Sequence, residues 1–408
     1  MLSVKQAETI IFDLVQPFSG QNDINVVNIT DATGRILAAP VTSKLDFPHW
    51  DNSAMDGYAV RFADVENCSQ AEPASLEIIE EIPAGYQPQK IVRSQQAARI
   101  FTGAIVPEGA DTIIIQENTK KQGDRVLIFS PPQQPHAFVR QQAAYYQAGN
   151  ILLESGIKLT ASEIAVLAAA QCTELKVYRR PRVAILSTGD ELVTPEQTLK
   201  PGQIVDSNQY ALATFVAENN CIPITLGIVP DQPEILQKAI AQAISQADVV
   251  LSTGGVSVGD YDYVDRILAD LKGEIHIRSV AVKPGKPLTV ATFPSCLYFG
   301  IPGNPVSALV SCWRFVQPTL KKLSGLATGW EPKFVQAKTR YELRASGQRE
   351  TYLWGELKLV NGCYEFILAG GSHSSGNLIN LAGANGLAVV PVGEKIVSSG
   401  ELVKVMQI

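Results

Sequence analysis

A central doubly wound, mostly parallel α/β sheet flanked by smaller modules is the architecture this sequence predicts, within the class of α/β and β multidomain proteins. Three observations lead there. From about residue 179 to 325, short apolar runs alternate with amphipathic stretches of helical length, the pattern of a parallel sheet covered on both faces. From about residue 47 to 140, and again from about 326 to 408, short β-runs are separated by Pro and Gly, the texture of an all-β module and a small β-barrel. A length of 408 residues, 46% hydrophobic and 18% charged, suits roughly two to four globular domains.

Taken in order, MLSVKQAETIIFDLV reads as a short amphipathic helix without the uninterrupted apolar core of a signal peptide. A strand-like run at 24–29 and a helical or turn segment around DATGRILA complete the N-terminal α+β part. In the β module the strands are SLEIIEEI, AARIF, DTIIIQEN and RVLIFS, with turns at Pro83-Ala84-Gly85, Pro107-Glu108-Gly109 and Gln122-Gly123-Asp124. Residues 141–178 read as helical again, with Thr160 capping TASEIAVLAAAQC. The α/β part has strands RVAIL, CIPITLGIV, ADVVLS, EIHIRSVAV, LTVATF and CLYFGI. Its helices are SNQYALATFVAENN, EILQKAIAQAIS and YDYVDRILADL, and VSALVSCWRFVQPTLKKL closes it as a long helix. The expected domains are therefore 1–46 with 141–178, an inserted β domain at 47–140, the α/β domain at 179–325, and a C-terminal barrel at 326–408.

The net charge of −6 provides no basic field for nucleic acid or an anionic membrane, so an anion site has to be local. Six scattered cysteines without a C-x-x-C pair argue against a disulfide framework or a zinc ribbon. The four histidines form no H-x-x-x-H pattern. No stretch of about 18 apolar residues is present, and a cytoplasmic protein is expected.

Ligands of open α/β sheets bind beyond the carboxyl ends of the strands, where strand order reverses. Four loops fall there: Ser187-Thr188-Gly189-Asp190-Glu191-Leu192, the run from Ser252 to Asp262, Lys283-Pro284-Gly285-Lys286-Pro287, and Pro302-Gly303-Asn304-Pro305-Val306-Ser307. In the second, Thr253-Gly254-Gly255-Val256-Ser257, followed by Val258 and Gly259, offers unobstructed N–H groups and hydroxyls at a helix start, the components of a phosphate cradle. Asp190, Glu191, Asp260 and Asp262 place carboxylates beside it, an arrangement suited to Mg²⁺ between acids and phosphate oxygens. Asp260 or Asp262 serves equally as a helix cap. Lys283 and Lys286, stiffened by prolines, suit an anion, although lysines on such loops are also common on plain surfaces.

Together NSAMDGYA, FTGA with GADTIIIQEN, STGDEL, DSNQY, STGGVSVGDYDYV, VKPGKP and IPGNPVSA resemble, in order and spacing, the molybdopterin molybdenumtransferases, the MoeA family that includes the gephyrin E domain. The resemblance covers essentially the whole chain. It implies a four-domain subunit in a homodimer that takes adenylylated molybdopterin and molybdate, uses a divalent cation, and releases AMP. Possible further partners are the adenylyltransferase and apo-molybdoenzymes. By the same resemblance Asp56 and Thr102 reach the cleft from the partner subunit. Glu191, Asp231, Asp260 and Asp262 serve metal, adenylate and pterin phosphate, with Glu191, Asp260 and Asp262 as the metal set. Ser257, Lys283 and Lys286 contact molybdate and substrate, Arg349 and Ser375 come from the C-terminal domain, and Arg140 belongs to the substrate set. So do Ser187, Thr188, Gly189, Asp190, Gly254, Gly255, Gly259, Pro302, Asn304 and Pro305.

Two departures stand out. The family's Arg-x-x-Gly-Glu-Asp run keeps Arg140 but continues Ala143, Ala144, Tyr145, removing two charges. The arginine that usually follows Arg349 is replaced, with Trp354 nearby. A working insertase leads; a molybdopterin carrier and, from another class, a dimeric scaffold are the alternatives.

Overall fold

Side chains alternate across the strand Arg182–Thr188 (β1): Val183 and Ile185 enter one apolar cluster, Ala184 and Leu186 another. A strand buried on both faces belongs inside a sheet with helices on each side. With β2 (Ile222–Val229), β3 (Val249–Thr253), β4 (Glu274–Ser279), β5 (Pro287–Phe293) and β6 (Cys296–Ile301) it forms a six-stranded sheet ordered β2-β1-β3-β6-β5-β4. The pairings from β2 through β6 are parallel, whereas β5 runs antiparallel to both neighbours. The first cluster packs helix α1 (Val4–Leu14), through Ile11 and Phe12, and α2 (Asn208–Glu218), through Leu212, Phe215 and Val216. The second packs Leu236 and Ile240 of α3 (Pro233–Gln246) and Val264 and Leu268 of α4 (Tyr261–Asp270). Ser3 and Gln6 form a capping box on α1.

The computed structural model describes residues 1–254 and 261–408, without the side chains of Tyr261 and Asp262. Gly255, Ser257, Gly259 and Asp260 of the expected cradle, and the Asp262 carboxylate, therefore lie outside the described residues.

The helix expected after β6 is continuous but changes pitch. Pro305–Ser311 is α-helical, Cys312–Val316 is a π turn, and Gln317–Leu323 is α-helical again. Pro318 lacks an N–H and cannot join the regular i→i−4 ladder, and the wider turn ahead of it accommodates this. The helical reading of 141–178 needs correction. Only Ala161–Ala169 is α-helix, while Ile151–Leu153 and Glu174–Tyr178 are strands. Leu175 and Val177 are buried between exposed Glu174 and Lys176, a period of two that defines a strand. It pairs antiparallel with Ile24–Asn28.

At the C-terminus, β7 (Phe334–Thr339), β8 (Glu350–Val360), β9 (Cys363–Leu368), β10 (Gly386–Val390) and β11 (Leu402–Gln407) pair in the cycle β8-β9-β7-β11-β10. The β10–β8 pairing closes it into a five-stranded barrel. Trp354 is fully buried and donates its indole N–H to Asn380 Oδ1 at 3.0 Å. It lies in the core, not on a cleft wall.

By contact density the chain forms two compact units, Met1–Ala39 with Ser155–Ile164 and Glu174–Ile408, and Pro40–Glu154 with Ala165–Thr173. The first holds the α/β sheet and the barrel. The second is built on a six-stranded sheet in which Gly57–Val60 lies between Thr112–Ile115 and Gln96–Ile100. A Cβ on Gly57 would stand 1.9 Å from the Ile114 carbonyl oxygen, which explains the glycine of NSAMDGYA. Among the described residues no helix is long and apolar enough to cross a membrane.

Candidate active site

In the order β2-β1-β3, the chain leaves β1 toward one side of the sheet and returns on the other, so a switch point falls between the carboxyl ends of β1 and β3. Thr188 and Thr253 end those strands, and the Thr253 hydroxyl donates to Ser187 Oγ at 3.1 Å. Gly254 follows with φ +86°, and a Cβ there would lie 2.1 Å from the Thr188 carbonyl oxygen. Only glycine lets the two backbones meet so closely. Gly303 reaches the same place, its Cβ direction 3.6 Å from Gly254 Cα, and its carbonyl accepts from Asn208 Nδ2 at 2.7 Å. Asn304 is the N-cap residue and Pro305 opens the helix. Asp190 and Glu191 are exposed on the loop after β1. The Asp231 N–H donates to Asp190 Oδ1 at 3.2 Å, and the Glu191 carboxylate lies over Gly189, 2.6 Å from its Cβ direction.

The lysine loop arrives at this rim because β5 and β4 are antiparallel: Ser279, at the end of β4, pairs with Pro287, at the start of β5. Between them Val282-Lys283 pairs in parallel with Glu350-Thr351 of β8. That short ladder joins sheet to barrel within one unit and sets Arg349 beside the loop, its Nη1 donating to the Val282 carbonyl at 3.2 Å. The start of β8 is anchored from below. Arg314 pairs with Glu8 of α1 at 3.2 Å and donates to Tyr352 Oη at 2.9 Å, and the Tyr352 hydroxyl donates to Glu350 at 2.6 Å. Burial pushes the Tyr352 phenol far above its usual range, so it stays a neutral bridge.

The outcome is a cavity of about 490 Å³ whose wall includes Lys283, Lys286, Pro302, Asn304, Arg349 and Ser375. Asn304 Nδ2 donates to Ser375 Oγ at 3.2 Å. Gly285, at φ +109°, turns the loop between the lysines, and a Cβ there would stand 2.9 Å from Ser311 Oγ. Among the described residues no carboxylate pairs with Lys283, Lys286 or Arg349. Three cations facing a polar cavity without counter-ions make a receptor for a compact dianion.

Sequence reasoning missed Arg344 and His373 on the same wall, where Ser307 of the fourth expected loop also lies. Arg344 is drawn to Glu342 at 2.6 Å, and nothing in its local sequence marks it. His373 stacks on Trp354 with ring centroids 4.6 Å apart and faces the Ala369 carbonyl through Nε2 at 2.8 Å. Its Nδ1 is buried without a partner among the described residues.

In the other unit, Asp56 accepts from both the N–H and the hydroxyl of Thr102 at 2.7 Å. The Thr102 N–H first, then its hydroxyl, holds the Asp56 carboxyl below the usual range. Arg140 Nη1 donates to Asn52 Oδ1 at 3.4 Å. Ala143 has φ +61° and Tyr145 is 71% exposed. Among the described residues no three His, Cys, Asp or Glu side chains gather as a metal cluster.

An α/β sheet with its glycine-turned switch point beside a cationic cavity, joined to a five-stranded barrel, defines a multidomain protein that handles phosphorylated or oxyanionic ligands. Residues 2–170 match the MoeA N-terminal region (domain I and II), 184–322 a probable molybdopterin binding domain, and 336–408 the MoeA C-terminal region (domain IV). A molybdopterin molybdenumtransferase of Nostoc sp. is 60% identical over 411 aligned residues, covering 100% of this chain and 94% of that protein. One from Haemophilus influenzae is 37% identical over 80% of this chain and 78% of its own. The crystal structure of a molybdopterin biosynthesis MoeA protein from Pyrococcus horikoshii OT3 superposes with a TM-score of 0.85 at 26% identity, covering 100% of both chains. The chain belongs to the molybdopterin molybdenumtransferase family, enzymes of molybdenum-cofactor biosynthesis.

Proposed function

We propose that this chain inserts molybdenum into molybdopterin, taking molybdate and adenylylated molybdopterin and releasing AMP, in the cytoplasm and as a homodimer of four-domain subunits. The observation that carries the reading is the cation set Lys283, Lys286 and Arg349, without a carboxylate partner among the described residues, around one cavity at the carboxyl rim. Molybdate is a compact dianion, and three fixed cations with the Asn304 and Ser375 side chains offer charge and hydrogen bonds to its oxygens. The switch point beside it, where Gly254 and Gly303 leave the backbone without side chains, suits the phosphate of the pterin.

The acids fit Mg²⁺ in kind. Asp190 and Glu191 supply hard oxygen donors, and Mg²⁺ is commonly held by one or two carboxylates together with substrate phosphates. Glu191, with Asp260 and Asp262, is the proposed set, and the bound ion would offset charge on the phosphoryl oxygens. The protein's own part is to hold the dianion and the pterin phosphate side by side on a rim fixed by the β8 ladder, which turns an encounter of separate molecules into a local one. Asp56, kept ionised by Thr102, is proposed to act in the same chemistry from the partner subunit, with Arg140 and Asp231 in substrate contact.

The test gives the purified chain adenylylated molybdopterin, molybdate and Mg²⁺ and follows AMP release. Turnover is expected, and Lys286→Ala should lower it at least about a hundredfold while the dimer persists. Tight pterin binding without turnover would favour a carrier instead.

A further inference from the structure

The amino ends of the same strands carry a second basic feature. Ahead of β1 run Arg179 and Arg180, and the turn Asn219-Asn220 precedes β2. They line a cavity of about 220 Å³ together with Arg35, Lys158, Lys321 and Lys333. An adjoining groove shares Arg35, Arg179 and Arg180 and adds Arg182. This lies at the opposite edge of the sheet from the candidate active site, the length of β1 away; seven residues span about 20 Å.

Of the cations on this wall, one has acids within reach. Arg179 chelates Asp248 through two bonds of 2.7 Å, reaches Asp23 at 3.0 Å, and lies over the Phe18 ring. It holds loops together. Arg35, Lys158, Arg180, Lys321 and Lys333 differ. Among the described residues none has a carboxylate partner, and Glu218 is the single acid on the cavity wall. Arg35 is 8% exposed, and its Nη2 donates to Asn25 Oδ1 and the Tyr178 carbonyl. Its Nε is buried with nothing to donate to. The groups also feel one another. Burial, then Lys333 and Lys158, draws the Lys321 ammonium below its usual range, and burial, then Arg180, does the same to Arg35. Gathering like charges and leaving a guanidinium N–H unpaired opposes folding. Such an arrangement becomes favourable once a multivalent anion enters.

We infer that the cavity at the amino rim, walled by Arg35, Lys158, Arg180, Lys321 and Lys333, is a binding site for a phosphate-type dianion, distinct from the molybdenum-transfer site. The cavity has room for a tetrahedral oxyanion with some of its water, and the open groove beside it leaves room for the rest of a small phosphorylated metabolite. The shared chemistry is a doubly charged tetrahedral group, free or esterified.

The test is equilibrium binding of inorganic phosphate, molybdate and AMP, each alone, to the full chain. Wild type is compared with Lys286→Ala, Lys321→Met/Arg180→Gln and Lys333→Met, with thermal melts run in parallel. In wild type a dianion should saturate a site that survives Lys286→Ala. In Lys321→Met/Arg180→Gln its affinity should fall about tenfold or more, and in the exposed-residue variant Lys333→Met severalfold. Without anion, Lys321→Met/Arg180→Gln should melt no lower than wild type, and its anion-dependent rise in melting temperature should vanish. A structural cation cluster would give the reverse. AMP binding tighter than phosphate assigns the site to a phosphorylated metabolite, and equal binding assigns it to a free oxyanion. The inference fails if Lys286→Ala abolishes all anion binding or if the groove variants bind as wild type does. It also fails if no anion binds and the variants only change the oligomeric state, which would mean that a protein carboxylate fills the groove.

Discussion

Replacing Gly254 by alanine is the sharpest probe of the switch point. The residue has φ +86°, and its added Cβ would lie 2.1 Å from the Thr188 carbonyl oxygen and 2.9 Å from the Thr188 hydroxyl. Ordinary contact begins near 3.4 Å, so the ends of β1 and β3 must separate by roughly 1 Å or more in a close-packed sheet. The left-handed conformation costs an alanine about 1–2 kcal/mol, and overpacking adds about 1–3 kcal/mol. At about 2–4 °C per kcal/mol for a domain of this size, the melting temperature should drop by roughly 5–15 °C. A shift of about 1 Å at a reacting site costs on the order of a hundredfold in rate, so AMP release should fall by about that factor at temperatures where the variant stays folded. Gly303→Ala is the matched control. Its Cβ would meet Gly254 only at 3.6 Å, and its φ is not in the left-handed region, so its melting temperature should remain within about 1 °C of wild type. Wild-type melting and turnover in Gly254→Ala would refute the reasoning.

Ala143→Gly should stabilise the protein by about 1 kcal/mol, because Ala143 sits at φ +61°, where only glycine is unstrained; chemical denaturation with an unchanged m-value checks it. The Asp56 carboxyl is held low by the Thr102 N–H and hydroxyl. The stability it adds is therefore present above the unfolded-state value near 3.9 and is lost as pH falls through the lower folded value. Thr102→Val should move the Asp56 carbon resonance in an NMR titration toward ordinary aspartate behaviour. Trp354→Arg, which offers an arginine close to where the resemblance expects one, should destabilise by about 3–5 kcal/mol, since the side chain is fully buried, bonded to Asn380 and stacked on His373, with no acid to take the charge among its described partners; a melt distinguishes this from a restored cleft contact.

The α/β core was legible because it obeys two periodicities at once. Strands β1 and β3 are unbroken apolar runs, and α3 carries its apolar residues on one stripe. Residues 141–178 were misread because a single real helix, Ala161–Ala169, lent its character to ELKVY, whose five residues are too few for alternation to outvote a neighbour. The carboxyl rim was legible in its glycines and lysines, since each needs a particular local backbone. Arg344 and His373 were not, because Arg344 is placed by its pairing with Ile396 and His373 by stacking on Trp354, contacts between segments apart in sequence. The parallel ladder between Val282-Lys283 and Glu350-Thr351 is of the same kind: two-residue pairings have no pattern to read.

Where the chain departs from the family pattern also separates its two functional alternatives. Ala144 and Tyr145, where the resemblance expects an acidic pair, lie in the unit that contains Pro40–Glu154, whereas Lys283, Lys286, Asn304, Arg349 and Ser375 all belong to the other. Oxyanion binding by the cavity therefore does not depend on the altered turn, and a defect confined to that turn should appear in turnover alone. Ala144→Glu/Tyr145→Asp tests this. Both side chains are exposed, so the exchange is expected to change stability by less than about 1 kcal/mol. If the acids contribute to transfer, AMP release should rise about tenfold or more while the molybdate dissociation constant stays within about twofold, because binding and chemistry respond to different groups. An unchanged rate with an active wild type would show that this enzyme runs without the pair. A change in molybdate affinity would show that the turn at Ala144 and Tyr145 bears on the oxyanion cavity.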